Sequence, residues 1–201
     1  MSFHPLMAYE ADKFQQSERM TLDEGPPFEL TPERRAELDT IIARYPSDRK
    51  RSAVIAALYL IQEQAGYVTA NGVRHVAPLL DLSPAEVEDV ASYYVMFFRK
   101  PVGKYVVQVC RTLSCALGGA ERVTEALSEK LGIAVGETDK SGTFTLMEFE
   151  CLGACDRAPV VMVNNELWHE TLKPEDAGKL IDMIREKGAA AFSGCHLEVE
   201  R

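Results

Sequence analysis

Tyr105-Val106-Val107-Gln108-Val109 runs straight into Cys110, and Thr143-Phe144-Thr145-Leu146-Met147-Glu148-Phe149-Glu150 runs straight into Cys151. Both runs are rich in β-branched, aromatic and aliphatic residues, the composition of a strand. Each delivers a cysteine at its end, and a second cysteine follows shortly, as Cys110-x4-Cys115 and Cys151-x3-Cys155. Between the runs, Gly118-Gly119 opens a helix with Val123, Ala126, Leu127 and Leu131 inward, closed by Gly132. If the two strands run parallel, both cysteine loops open at the same end of one sheet. Four thiols then converge on a single site.

Working outward, Pro159 to Val163 reads as a third strand. Asn164-Asn165 suits the positive φ values of a tight hairpin leading into a fourth strand, Glu166 to His169. A last helix begins near Pro174, carries Leu180, Ile181 and Ile184, and ends at Lys187-Gly188. Strand, helix, strand, strand, strand, helix is the order of an α+β domain with a mixed sheet, here residues 103–188.

Upstream the period is helical. A helix opens at Thr31 with Pro32 at its first position, and Leu38, Ile41, Ile42 and Tyr45 are predicted to share a buried face until Pro46 stops it. A second is predicted from about Asp48 to Ala65, with Val54, Leu58, Ile61 and Ala65 on one stripe and Gly66 as its stop. A shorter piece covers Gly72 to Leu80, weakened by Pro78. Ser83-Pro84-Ala85-Glu86 is a capping box before Val87, Val90, Ala91, Tyr94 and Phe98 at helical spacing. Residues 28–102 are therefore expected to form a helical bundle. Residues 1–27, ending in Gly25-Pro26-Pro27, read as an N-terminal arm, mobile or laid against a partner, and 189–201 as a C-terminal tail.

Bulk properties narrow the function. The chain has 201 residues, is 46% hydrophobic and carries a formal charge of −9. That size and composition support a real core. The acidity argues against nucleic acid, whose phosphates demand clustered Lys and Arg. No apolar run is long enough to span a bilayer and no secretory signal is evident, so a cytosol-like, reducing compartment is expected. There, closely spaced cysteines read as metal ligands rather than disulfides.

The spacing limits the centre. A plant-type ferredoxin places a third cysteine two residues after its second, and a thioredoxin-type redox pair needs Cys-x-x-Cys; the chain has neither. A [2Fe–2S] cluster on four thiolates and a four-cysteine zinc site both remain open, because zinc spacings include both pairs. In the first loop Thr112 and Ser114 are candidate hydrogen-bond donors to sulfur, and in the second Gly153 lets the backbone curl. There is no Gly-x-Gly-x-x-Gly after a strand and no Walker sequence, hence no recognisable nucleotide or flavin cradle.

The flanks carry a resemblance. Arg99-Lys100-Pro101-Val102-Gly103-Lys104-Tyr105, Val109-Cys110, Glu150-Cys151-Leu152-Gly153-Ala154-Cys155, Ala158-Pro159 and Val163-Asn164 resemble the 24-kDa-subunit family of NADH–quinone oxidoreductase (respiratory complex I, where bacteria have the E-type subunit). So do Gln62-Glu63 with Gly66-Tyr67 and Ser83-Pro84-Ala85-Glu86-Val87. The similarity covers about residues 30–187. It implies an N-terminal helical bundle followed by a thioredoxin-like domain, and one [2Fe–2S] cluster held by Cys110, Cys115, Cys151 and Cys155. It also implies a neighbouring 51-kDa-type subunit that binds FMN and NADH, and other peripheral-arm subunits, on the cytoplasmic face of the inner membrane without direct insertion. The flavin there receives two electrons as hydride and releases them singly, and the cluster accepts one. Similar subunits serve NAD(P)-linked hydrogenases and formate dehydrogenases. From other classes, the alternatives are a structural zinc module and an iron–sulfur transcription regulator, the latter disfavoured by charge.

Other conspicuous residues read as ordinary. Cys195-His196 is taken as a free thiol in a tail without a third orienting group. His75 and His169 are read as a helix and a strand residue, Asp48-Arg49-Lys50-Arg51 as a solvated helix start, and Tyr93, Tyr94, Phe97 and Phe98 mainly as core.

Overall fold

A computed structural model describes residues 22–191. The chain divides into two compact units between Pro101 and Val102.

The first unit is helical. Helix α1 (Pro32–Ile42) starts under a Thr31 cap that accepts the Arg34 N–H. A 3₁₀ stretch (Ser47–Ala53) leads into α2 (Val54–Ala65), which ends on left-handed Gly66. Helix α3 (Ala70–Val76) continues as a 3₁₀ turn (Ala77–Leu80), and α4 (Pro84–Tyr93) opens on the complete Ser83/Glu86 capping box. Leu38, Leu58, Ile61, Val73, Val76, Leu80 and Val87 fill the core.

Three local expectations fail here. The helix predicted from Asp48 is broken: Arg49 sits at φ −125°, no side chain caps the start, and regular α-helix begins only at Val54. Asp48 pairs with its neighbour Arg49 instead of capping. Tyr45 is exposed because α1 has already ended at Ile42. The Tyr94–Phe98 stripe is not helical, and Tyr93 is 79% exposed. The Gln62 side chain on α2 accounts for the break, donating to the Met96 carbonyl at 3.0 Å and accepting from the Phe98 N–H at 2.7 Å. That clamp turns the chain out of helix while Phe97 and Phe98 remain buried.

Residues 22–27 lie on this unit. Leu22 is buried, Asp23 accepts from the Tyr67 hydroxyl, Glu24 pairs with Arg74, and the Asn71 amide donates to the Gly25 and Pro26 carbonyls. His75 is a structural residue: its Nε2 accepts the Leu30 N–H, and its ring meets Phe28 edge-on. Residues 1–21 and 192–201, including Cys195 and His196, lie outside the described residues.

The second unit is the α+β one. Its elements are β1 (Tyr105–Cys110), α5 (Leu113–Leu117), α6 (Ala120–Leu131), β2 (Phe144–Phe149), β3 (Val161–Val163), β4 (Leu167–His169) and α7 (Pro174–Lys187). The four-stranded sheet has the order β2-β1-β3-β4. β1 runs parallel to β2 in the register Tyr105↔Phe144 to Cys110↔Phe149, and antiparallel to β3. A parallel pair needs a crossover, which α5 and α6 provide. Every residue of β1 is buried. Its polar member, Gln108, donates to Asn165 Oδ1 at 2.8 Å and accepts the Asn165 N–H at 3.2 Å. Asn164 and Asn165 both have positive φ, 54° and 59°, as the hairpin turn requires.

Gly103, just ahead of β1, marks where β2 begins alongside. Its N–H donates to Thr145 Oγ1 at 2.7 Å, and a Cβ there would stand 2.9 Å from the Phe144 backbone. Replacing Gly103 by Ala should therefore cost about 1–3 kcal/mol through forced separation of β1 and β2. Thermal unfolding followed by circular dichroism checks this; an unchanged midpoint would show that the strands yield freely.

Candidate metal centre

Parallel pairing delivers the thiols. Cys110 ends β1 opposite Phe149, the Arg111 N–H donates to the Phe149 carbonyl at 3.0 Å, and Cys151 follows two residues later. Both cysteine loops thus open at the carboxyl end of the same strand pair. Cys115 sits in the single short turn α5, which points it inward at 2% exposure while Leu113 and Leu117 face outward at 75% and 82%. Cys155 opens a 3₁₀ turn, Cys155–Arg157. Gly153, at φ 84°, bends the intervening chain so that Cys151 Sγ and Cys155 Sγ stand 3.6 Å apart.

Donors surround the sulfurs. The Gly153 N–H points at Cys151 Sγ at 3.4 Å, and Thr112 Oγ1 lies 3.2 Å from Cys110 Sγ. Burial pushes the Cys110 thiol up, but the Thr112 hydroxyl and amide, the Leu152 amide and the Cys115 thiol outweigh it and hold it below the ordinary value. Cys115 is pushed up to about 11, first by burial and then by donating to Cys110, although the Val160 amide opposes this. Cys151 is lowered by the Gly153 amide and by Cys155 and Thr112. Cys155 is raised because it donates to Cys151, with Ser114 opposing. Like charge also acts across the loops, Cys110 raising both Cys151 and Cys155.

Among the described residues no group of three or more His, Cys, Asp or Glu side chains is gathered to ligate a single ion. The thiols stand as two contacting pairs, Cys110 with Cys115 and Cys151 with Cys155. Ligating sulfurs must be thiolates, and amide and hydroxyl donors aimed at sulfur favour that form. The donor set therefore fits an inorganic centre bound by thiolates.

The other flagged residues stand apart. His75 belongs to the helical unit, and His169 is on β4, where burial lowers its pKa and its Nε2 has no hydrogen-bond partner. Arg111 pairs with Glu150 at 3.0 Å beside the site. Sequence reasoning missed α5, the Leu152 and Val160 amides and the exposed leucines. Thr112 before Leu113 was the available hint of a helix start, but five residues are too few to show a period.

A mixed sheet with two thiol pairs at one end of its parallel strands defines the class: a thioredoxin-like domain bearing two cysteine pairs. The family model for thioredoxin-like [2Fe-2S] ferredoxins matches residues 38–185, and the chain belongs to that family. It is 42% identical over 166 residues to the E-type subunit of NADH-quinone oxidoreductase from Mycobacterium bovis, covering 81% of this chain and 65% of that protein. The chain thus spans just under two thirds of the mycobacterial relative's length. The corresponding NADH-quinone oxidoreductase subunit of Rickettsia bellii is 41% identical over 148 residues, 73% of this chain and 88% of that one. The crystal structure of an NAD+-reducing [NiFe]-hydrogenase in the H2-reduced state superposes with a TM-score of 0.59 at 20% identity, over 69% of this chain and 23% of that one, a likeness of fold.

The thiol environments order the reactivity of the metal-free protein, since the thiolate is the nucleophile. Iodoacetamide should modify exposed Cys151 first and buried Cys115 last. The rate at Cys151 should level off at lower pH than for an ordinary thiol, whereas that at Cys115 should keep climbing towards pH 11. Peptide mass spectrometry across pH resolves the sites; identical profiles would contradict the differing environments of the four thiols.

Proposed function

We propose that this chain is an electron-transfer subunit of an NADH–quinone oxidoreductase, holding one [2Fe–2S] cluster on Cys110, Cys115, Cys151 and Cys155. In this reading it exchanges single electrons with the FMN of a neighbouring NADH-binding subunit, and residues 103–188 are the cluster domain. The observation that carries it is the convergence of two thiol pairs from two parallel-strand loops, with amide donors already aimed at the sulfurs. Membership of a [2Fe-2S] ferredoxin family supports iron–sulfur over zinc. The names of the mycobacterial and rickettsial relatives favour the quinone-linked complex over a hydrogenase or formate dehydrogenase.

A bound cluster supplies one-electron exchange with no bond chemistry. The protein's part is to hold and shield. Cys110 and Cys115 anchor the inner side, buried against Val109, Leu152 and Val160. Cys151 and Cys155 form the exposed outer side. Around it, residues 112–120 and 151–155 carry no charge. Leu113 and Leu117 stand proud of that collar, an apolar centre of the kind a partner subunit covers. Among the described residues no helix is long and apolar enough to cross a membrane. The same reading gives the chain a peripheral position, on the cytoplasmic face of a membrane-bound complex.

Anaerobically purified protein should contain about two irons and two acid-labile sulfides per chain and show an EPR signal on reduction. Ser at position 110, 115, 151 or 155 should abolish or severely perturb that signal, whereas Cys195→Ser should leave it intact. NADH should reduce the centre only once a flavoprotein partner is added. Zinc without sulfide would overturn the proposal.

A further inference from the structure

Thr112 occupies the position before α5 where a threonine ordinarily accepts an N–H of the helix it opens, an interaction worth about 1 kcal/mol. It makes no such cap. Its backbone is extended, at φ −79° and ψ 172°, and its carbonyl takes the Ala116 N–H at 2.9 Å. The hydroxyl turns to sulfur, 3.2 Å from Cys110 Sγ, and it also helps hold the Cys151 thiol below its ordinary value. One side chain thus bears on a cysteine from each of the two loops. The Thr112 amide also helps hold the Cys110 thiol below its ordinary value.

We propose that Thr112 is a positioning residue whose hydroxyl donates to the sulfur of Cys110, fixing the first cysteine loop and holding up the reduction potential of the bound cluster. This rests on the cluster reading above and adds a role for a residue outside the ligand set. The direction of donation follows from chemistry. A ligating thiolate has no hydrogen to give, so the only proton between oxygen and sulfur belongs to Thr112. One-electron reduction adds negative charge that is shared with the ligand sulfurs, and a donor to sulfur stabilises that more negative state. Removing the donor destabilises the reduced form and lowers the potential. The neighbouring Ser114, which bonds Cys155, acts on the outer side and is left in place.

The test is a potentiometric titration, monitored by EPR, of wild type, Thr112→Val, Thr112→Ala and Thr112→Ser, each with iron and sulfide counted. Thr112→Val keeps the shape and deletes the proton; Thr112→Ser keeps the proton and deletes the methyl. At a fixed solution potential the reduced-to-oxidised ratio should fall roughly tenfold in Thr112→Val, a midpoint lower by about 59 mV for a one-electron couple. Thr112→Ala should fall similarly, and Thr112→Ser should stay within about threefold of wild type, a proton-dependent pattern expected from donor bonds to charged groups. If Val and Ala variants hold no cluster while Ser does, the hydroxyl's hold on the cage is supported by loading instead. An unchanged midpoint in Thr112→Val, or an equal shift or loss in Thr112→Ser, overturns the assignment while leaving the cluster reading standing. A wild-type chain that holds no iron and sulfide overturns both.

Discussion

The parallel pairing of β1 with β2 is the constraint on which the site depends. Side chains and loops at the carboxyl ends of two parallel neighbours emerge on the same edge. Were the two antiparallel, Cys110 and Cys151 would be separated by the length of a strand, roughly 17–20 Å for six residues. Parallel strands cannot be joined by a tight turn, and the crossover here contributes to the site, since its first turn, α5, carries Cys115 inward. The return is equally economical. β3 runs antiparallel to β1, so the connection from β2 to β3 stays at the thiol edge, where the Cys110 N–H donates to the Val160 carbonyl at 3.1 Å. The Val160 amide in turn reaches Cys115.

Two opposing effects set the character of the thiols. Burial disfavours charge on the inner pair, and Cys115 shows it most strongly. Short hydrogen bonds favour charge, and at Cys110 they win. The formal charge of −9 acts on a different scale. Salt screens exposed charges beyond about 8 Å at physiological ionic strength, whereas the Gly153 amide stands 3.4 Å from sulfur. The exposed ion pairs near the site, such as Arg111 with Glu150, are likewise of small consequence. Local donors, then, rather than net charge, are the stronger lever on a centre bound here.

The strands, the order of elements and the four cysteines were legible because each leaves a dense local signal. Tyr105–Val109 is a continuous apolar run broken only by Gln108, Gly132 closes a helix, Asn164-Asn165 spells a hairpin, and the cysteines repeat in pairs. What escaped depended on contacts distant in sequence. Nothing near Tyr94 announces that Gln62, on another helix, takes the Met96 carbonyl and Phe98 amide and ends the helical stripe. Residues 22–27 read as part of an arm, mobile or laid against a partner, because the groups that hold them, on Tyr67, Asn71 and Arg74, lie far along the chain. The amide donors escaped for another reason: a backbone N–H has no letter in the sequence, so Leu152 and Val160 show only their apolar side chains.

The exposed leucines of α5 follow from the same geometry. A five-residue helix that turns Cys115 inward turns the residues two positions before and after it outward, and here those are Leu113 and Leu117. Polar residues would suit water at no cost to the cage. Leucine there leaves apolar surface worth roughly 1.5–3 kcal/mol per side chain uncovered until something packs on it. Cys151 and Cys155, the sulfurs nearest solvent, are exposed as well. In the proposed reading, then, a partner that buries this collar excludes water from the sulfurs and strengthens every donor bond to them, because a hydrogen bond is electrostatically stronger at lower dielectric. In that reading, docking and the tuning of the centre would be coupled through one short helix, with Thr112 beside sulfur at its start and Leu117 exposed at its end.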